Sequence, residues 1–170
     1  GDGLADPNGV VQGYAAGARR LGARILTGVA VTGIRVERGR VMAVETTEGV
    51  ISTPAVVDAA GPWAGDVAAM AGVDLPVTPL RRQIAVTSPL PDLPPDFPFV
   101  IDFSPTLYFH PEGQGILTGM SNPNEQPGYD QSIDRAWTEQ HLMRAMDRFP
   151  LLENAGLLRE WAGLYEVTPD

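Results

Sequence analysis

Apolar residues recur at helical spacing near the start of the chain, at Val11, Tyr14, Ala15, Ala18 and Leu21. Asp6-Pro7 precedes them, and an aspartate that caps free amides followed by a proline at the first helical position is a helix start. Gly22 supplies the stop, so the first element is predicted to be an amphipathic helix. From Arg24 to Asp58 the pattern changes to β-branched alternation through Ile25, Val29, Val31, Ile34, Val36, Val41, Val44, Val50, Ile51, Val56 and Val57. Arg38-Gly39-Arg40 and Thr47-Glu48-Gly49 break these runs as turns, which predicts a meander of short strands. The last run, Ala55 to Ala60, reads as a strand buried on both faces and ending at Gly61. Pro62-Trp63 then opens a short helix through Ala71, closed by Gly72.

After Pro76 and Pro79 the pattern predicts strands near Leu80–Thr87, Val100–Phe103, Thr106–Phe109 and Ile116–Met120. Five prolines between Pro89 and Pro98 mark an irregular loop, because proline removes backbone donors and favours extended neighbours. Gly113-Gln114-Gly115 reads as a hairpin turn, and the polar stretch Ser121 to Ser132 as a long loop. A helix is expected from about Asp134 to Phe149, with Ile133, Trp137, Leu142, Ala145, Met146 and Phe149 on or near its apolar face and Pro150 ending it. Leu157–Tyr165 resembles one more strand. The fold class is therefore α+β.

The balance of 12 Lys+Arg against 21 Asp+Glu, a net charge of -9, repels phosphate backbones and anionic lipid surfaces, so neither nucleic acid nor membrane is an expected partner. No apolar run approaches the roughly 20 residues of a bilayer span, and the first residues carry no signal pattern, which leaves a cytoplasmic location as the expectation. The chain has no cysteine and 2 histidines, so disulfides, thiolate metal sites and a cysteine nucleophile are excluded and a histidine-rich metal site is not expected.

Four segments in order, Ala5-Asp6-Pro7, Val56 to Ala64, Tyr108-Phe109-His110-Pro111-Glu112-Gly113 and Trp161 to Asp170, resemble the central part of the D-amino-acid-oxidase-like FAD-dependent oxidoreductases. Tyr165-Glu166-Val167-Thr168-Pro169-Asp170 resembles the branch of sarcosine oxidase β subunits and of dimethylglycine and sarcosine dehydrogenases. The resemblance implies an internal segment. Residues 1–74 would form part of an FAD-binding lobe lacking the GxGxxG strand, turn and helix, 75–164 a mixed-sheet substrate lobe, and 165–170 the start of a return to the FAD lobe. It implies FAD as cofactor of the whole protein, with negligible affinity for this stretch by itself, because the pyrophosphate would have no helix amino terminus to sit on. Gly113-x-Gly115-x-x-x-Gly119 has the wrong spacing for that motif and opens a strand.

The resemblance also implies site residues. Val31 falls where a valine backbone meets the adenine end of FAD, and Ala60-Gly61 where the backbone runs beside the cofactor; ordinary strand packing and a turn glycine are the alternative, and both can hold together. Trp63 lines the flavin pocket or anchors a core. Tyr108 points to substrate or is a half-buried strand tyrosine, and His110, two residues on, shares its face or occupies a turn. Tyr165 stands directly after Trp-Ala-Gly-Leu, where several amino-acid oxidases of the family place a carboxylate-clamping arginine. Arg81 and Arg82 face opposite ways in a strand, so at most one points inward, with solvation at the surface the expectation for either. No residue is assigned acid, base or nucleophile chemistry, since flavin-dependent amine oxidation asks the protein mainly for orientation. The implied activity is oxidation of the carbon–nitrogen bond of a small, N-methylated or secondary amino acid. A primary amino-acid oxidase and a non-catalytic domain binding a partner subunit are the alternatives.

Overall fold

The first helix, α1, runs Pro7–Arg20, and the Asp6 carboxylate accepts from the amides of Asn8 and Gly9 at 3.2 and 2.7 Å, as the sequence predicts for a capping aspartate. In the computed structural model, which describes residues 3–170, the chain divides after Val56 into two compact units. The first holds α1 and an antiparallel meander of β1 (Val31–Glu37), β2 (Arg40–Thr46) and β3 (Gly49–Ser52), in the order β1-β2-β3. Arg38 and Gly39 join β1 to β2 with φ of 50° and 75°, the doubly left-handed two-residue turn whose twist matches paired strands. The apolar stripe of α1 is exposed rather than packed: Val11 is 61% and Tyr14 79% exposed.

The second unit begins with a correction. Residues 55–60 form no strand, and Val57 is 91% exposed. Apolar β-branched residues are necessary for a central strand but not sufficient, because the ladder needs neighbours on each side and none of the described strands lies beside this run. A 3-10 turn, Gly61–Trp63, follows and leads into α2 (Ala64–Met70).

A five-stranded antiparallel sheet dominates this unit. Its strands are β4 (Thr78–Thr87), β5 (Val100–Asp102), β6 (Leu107–Glu112), β7 (Gly115–Met120) and β8 (Leu157–Val167), ordered β5-β6-β7-β4-β8. The expected hairpin at Gly113-Gln114 joins β6 to β7, with Glu112 paired to Gly115. Helix α3 (Arg135–Arg148), capped by Asp134 onto the Trp137 amide at 3.1 Å, packs on one face of the sheet. Between them lies the core of Leu90, Leu107, Phe109, Ile116, Met120, Ala145 and Leu152. Phe97, Phe109 and Phe149 stack there at centroid distances of 4.8 to 6.0 Å.

The covered face also holds a polar network. Gln83 donates to the carbonyl of Asp134 at 3.1 Å and to the Thr138 hydroxyl at 3.2 Å, and its own oxygen accepts from the Asp134 amide. His141, 1% exposed, meets Thr118 Oγ1 through Nε2 at 3.0 Å, and Thr118 donates to the carbonyl of Tyr108 at 3.0 Å. A hydroxyl has one proton, so Thr118 accepts from His141, which assigns the Nε2–H tautomer. Burial holds this imidazole neutral, with its pKa lowered to about 4. Among the described residues no helix is long and apolar enough to cross a membrane, and no cluster of His, Cys, Asp or Glu is arranged to hold a metal ion.

Candidate functional site

Side chains alternate across a sheet, and cross-strand partners share a face, so the register decides what stands opposite α3. Ile84 pairs with Gly119 and with Trp161, Gly119 pairs with Tyr108, Arg82 pairs with Gly163, and Leu80 pairs with Tyr165. Tyr108, His110, Arg82, Trp161 and Tyr165 therefore share the face opposite α3, hereafter the open face. Phe99 stands edge-on to both Tyr108 and His110, at centroid distances of 6.0 and 5.3 Å.

Tyr108 lies across its neighbouring strand. A Cβ on Gly119 would collide with the Tyr108 ring, so only glycine at this position lets the phenol lie over β7. Burial, assisted by the neighbouring Tyr165 and opposed by Arg82, pushes the Tyr108 phenol up to about 12. It is a neutral hydrogen-bond donor throughout the working pH range. His110 lies within β6, not in a turn, and its Nδ1 is 2.8 Å from the carbonyl of Pro111.

Neither adjacent arginine of β4 is simply solvated. Arg81 reaches the loop 121–132, pairing with Glu125 at 2.9 Å and Asp130 at 3.0 Å and donating to the Ser132 carbonyl at 2.8 Å. Its hydrogen bond to Glu125 raises its pKa further. Arg82 turns to the open face, with its Cζ 5.5 Å from the centre of the Tyr165 ring. The sequence-based expectation of surface solvation fails because each strand side chain meets a structured neighbour. A cavity of about 770 Å³ opens beside Arg82, lined also by Leu80, Met120, Asn122, Trp137 and Arg144.

The residues proposed to meet a cofactor fall in both units, Val31 in the first and Ala60, Gly61 and Trp63 in the second. Val31 opens the edge strand β1 of the other unit, paired to Thr46 and 40% exposed. Ala60 donates to Asp58 Oδ1 at 3.0 Å, and Gly61 has φ of 56°, with nothing within 4 Å of an added Cβ. Their 3-10 turn packs against β4 and β8, the strands that carry Arg82 and Tyr165. Trp63 is neither a core anchor nor enclosed: it is 45% exposed and stacks on Tyr129 at 5.8 Å, while the Tyr129 hydroxyl donates to Asp66 at 2.7 Å.

A family model described as FAD dependent oxidoreductase matches residues 1–170. The chain belongs to this family. It is 33% identical to mouse mitochondrial sarcosine dehydrogenase, over 99% of the chain and 20% of that protein. It is 30% identical to mouse mitochondrial dimethylglycine dehydrogenase, over 100% of the chain and 22% of that protein. Among solved structures, L-proline dehydrogenase from P. horikoshii matches with a TM-score of 0.88 and 31% identity, over 98% of this chain and 45% of that one. The chain thus spans about a fifth of the length of these curated relatives.

The family's cofactor, FAD, carries a pyrophosphate that needs a glycine-rich turn at a helix amino terminus. The described residues do not fit that group. The first amides of α1 are taken by the Asp6 carboxylate, and Asp134 blocks the start of α3 in the same way. What the chain does offer is the open face of the sheet.

Proposed function

We propose that the whole protein oxidises the carbon–nitrogen bond of a small amino acid with a secondary or N-methylated amine, and that the open face of the sheet forms one wall of its substrate site. The relatives named for sarcosine, dimethylglycine and L-proline, each a substituted amine, support that substrate class. Within this reading residues 1–74 contribute part of the FAD lobe, residues 75–164 the substrate lobe, and 165–170 the return. Val31, Ala60, Gly61 and Trp63 serve the cofactor, and Tyr108, His110 and Tyr165 the substrate.

The observation that carries the proposal is the Tyr108 phenol, held over Gly119 on a face lined by Phe99 and Tyr165. Its raised pKa keeps it protonated, so it donates a hydrogen bond and never repels an anionic substrate. The Phe99 ring stands edge-on beside it and limits where the phenol can turn. The backbone of β6 at Tyr108 is fixed from behind by Thr118 and His141, which holds the phenol in one place. When bound, FAD supplies a hydride acceptor, and the chain's own groups orient the amine.

A second reading, in which the sheet binds a partner subunit, is favoured by its edge. Strand β5 lies at the margin of the sheet with Ile101 47% and the following Phe103 83% exposed. The visible spectrum of the whole protein separates the two. Bleaching of a bound flavin on anaerobic addition of sarcosine, dimethylglycine or proline, and not of glycine or D-alanine, is the expected outcome. A colourless protein that FAD cannot reconstitute leaves the partner-binding reading standing.

A further inference from the structure

Loop 121–132 leaves β7 at one end and leads to α3 at the other. Among the described residues a single backbone hydrogen bond ties it to β4, from the Gly128 amide to the Pro79 carbonyl at 3.0 Å. Its place is set mainly by one side chain. The Arg81 guanidinium holds one arm of the loop by its Nε edge, with Nε donating to Glu125 Oε1 at 3.1 Å and Nη2 reaching the same oxygen at 2.9 Å. Its other edge holds the second arm, where Nη1 donates to Asp130 Oδ2 at 3.0 Å and to the Ser132 carbonyl at 2.8 Å. The planar fork thus spans both arms at once, which a single ammonium cannot do. The Arg81 and Glu125 side chains are 13% and 10% exposed, so water competes little for that grip.

Tyr129, next to the gripped Asp130, joins the loop to a different element. Its hydroxyl donates to Asp66 Oδ2 at 2.7 Å, and its ring stacks on Trp63 at 5.8 Å with 14° between the planes. Asp66 belongs to α2 and Trp63 to the turn before it. Apart from the packing of that turn on β4 and β8, the segment has little to fix it: no residue of the turn or of α2 is buried, and no side chain caps α2. Every hydrogen bond and ion pair of the Arg81 side chain among the described residues goes to loop 121–132, and none to residues 61–70.

We propose that loop 121–132 is a strap that fastens the 61–70 segment to the sheet, with Arg81 holding the strap to β4 and Tyr129 holding the segment to the strap. Arg81 thereby fixes, through the loop, a segment to which its side chain makes no polar bond. Glu125 also lines the cavity of about 770 Å³ beside α3, which puts that cavity's wall and Trp63 at two ends of one element. A displacement of Glu125 or Asp130 is therefore felt at Trp63. The coupling concerns backbone position and stands whether or not Ala60, Gly61 and Trp63 meet a cofactor.

The test is backbone hydrogen exchange in the whole protein, read by mass spectrometry. Arg81→Met should speed exchange about 10-fold in residues 121–132 and by a similar factor in 61–70, while the amides of α3 around His141 keep their protection. Tyr129→Leu should speed exchange in 61–70 to the same extent and leave 121–126 as protected as in wild type. Both substitutions cut the same connection, so the double variant should be no faster at 61–70 than Tyr129→Leu alone. Loosening by Arg81→Met that stays within 121–132, or effects at 61–70 that multiply in the double variant, overturns the proposal. Tyr129 is 44% exposed, so Tyr129→Leu reports even where Arg81→Met fails to fold. Unchanged protection of 61–70 in that variant overturns the proposal as well.

Discussion

The two faces of the five-stranded sheet are made by the same strands, one residue apart, yet they are finished differently. On the face packed against α3 the buried polar side chains are linked to one another: Gln83 meets Asp134 and Thr138, Thr138 donates to Glu160 at 3.0 Å, and His141 is joined through Thr118 to the backbone of Tyr108. On the other face Arg82 has a buried nitrogen without a partner, Trp161 is 37% and Tyr165 53% exposed, and aromatic rings face open space. One face spends its side chains on holding the sheet together. The other leaves its side chains uncommitted, which is where binding of a further molecule gains most.

That contrast can be broken most forcefully in the core. Phe109→Ala removes a ring stacked between Phe97 and Phe149 and should cost about 3–5 kcal/mol, whereas Trp161→Ala on the open face should cost about 1 kcal/mol or less, a difference that urea unfolding midpoints will show. Acid provides a second blow to the covered face. His141 has a folded pKa of about 4 against an ordinary 6.5, so the unfolded chain binds the proton first as pH falls. Stability from this group is complete above pH 6.5 and declines as pH drops through 6.5 towards 4, by up to about 3 kcal/mol. His141→Gln should flatten that part of the stability profile. Gln83→Ala leaves the Asp134 amide and Thr138 without their shared partner and should cost about 1–3 kcal/mol. At the small end, Tyr108→Phe should shift stability by about 0.5 kcal/mol or less, while weakening binding of an amino-acid ligand measured calorimetrically.

Much of this architecture was legible from local pattern. The capped helices, the Arg38-Gly39 and Gly113-Gln114 turns and the strands of the sheet all follow from periodicity and turn chemistry, which act within a few residues. Residues 55–60 differ from the expectation because a continuous apolar run describes a need for neighbours, and the neighbours are a matter of long-range pairing. His141 carried no signal as a lone histidine in a polar helix. Its spacing with Thr138 and Ala145, the other buried positions of α3, was the available clue. For Arg81 and Arg82 the twofold alternation predicted opposite faces correctly. What it could not supply was the partner on each side, since Glu125 and Asp130 lie more than forty positions along the chain from Arg81.

Gly119 and Tyr108 are coupled positions. A side chain at 119 collides with the phenol ring where it now lies, so a larger residue there either displaces that ring from β7 or needs Tyr108 replaced by something small. A lineage that enlarges residue 119 therefore changes where the phenol sits as well as how the strands pack. The pair is expected to vary together among relatives, and single Gly119 variants of this protein to be rescued by Tyr108→Ala and not by Tyr108→Phe, which keeps the offending ring.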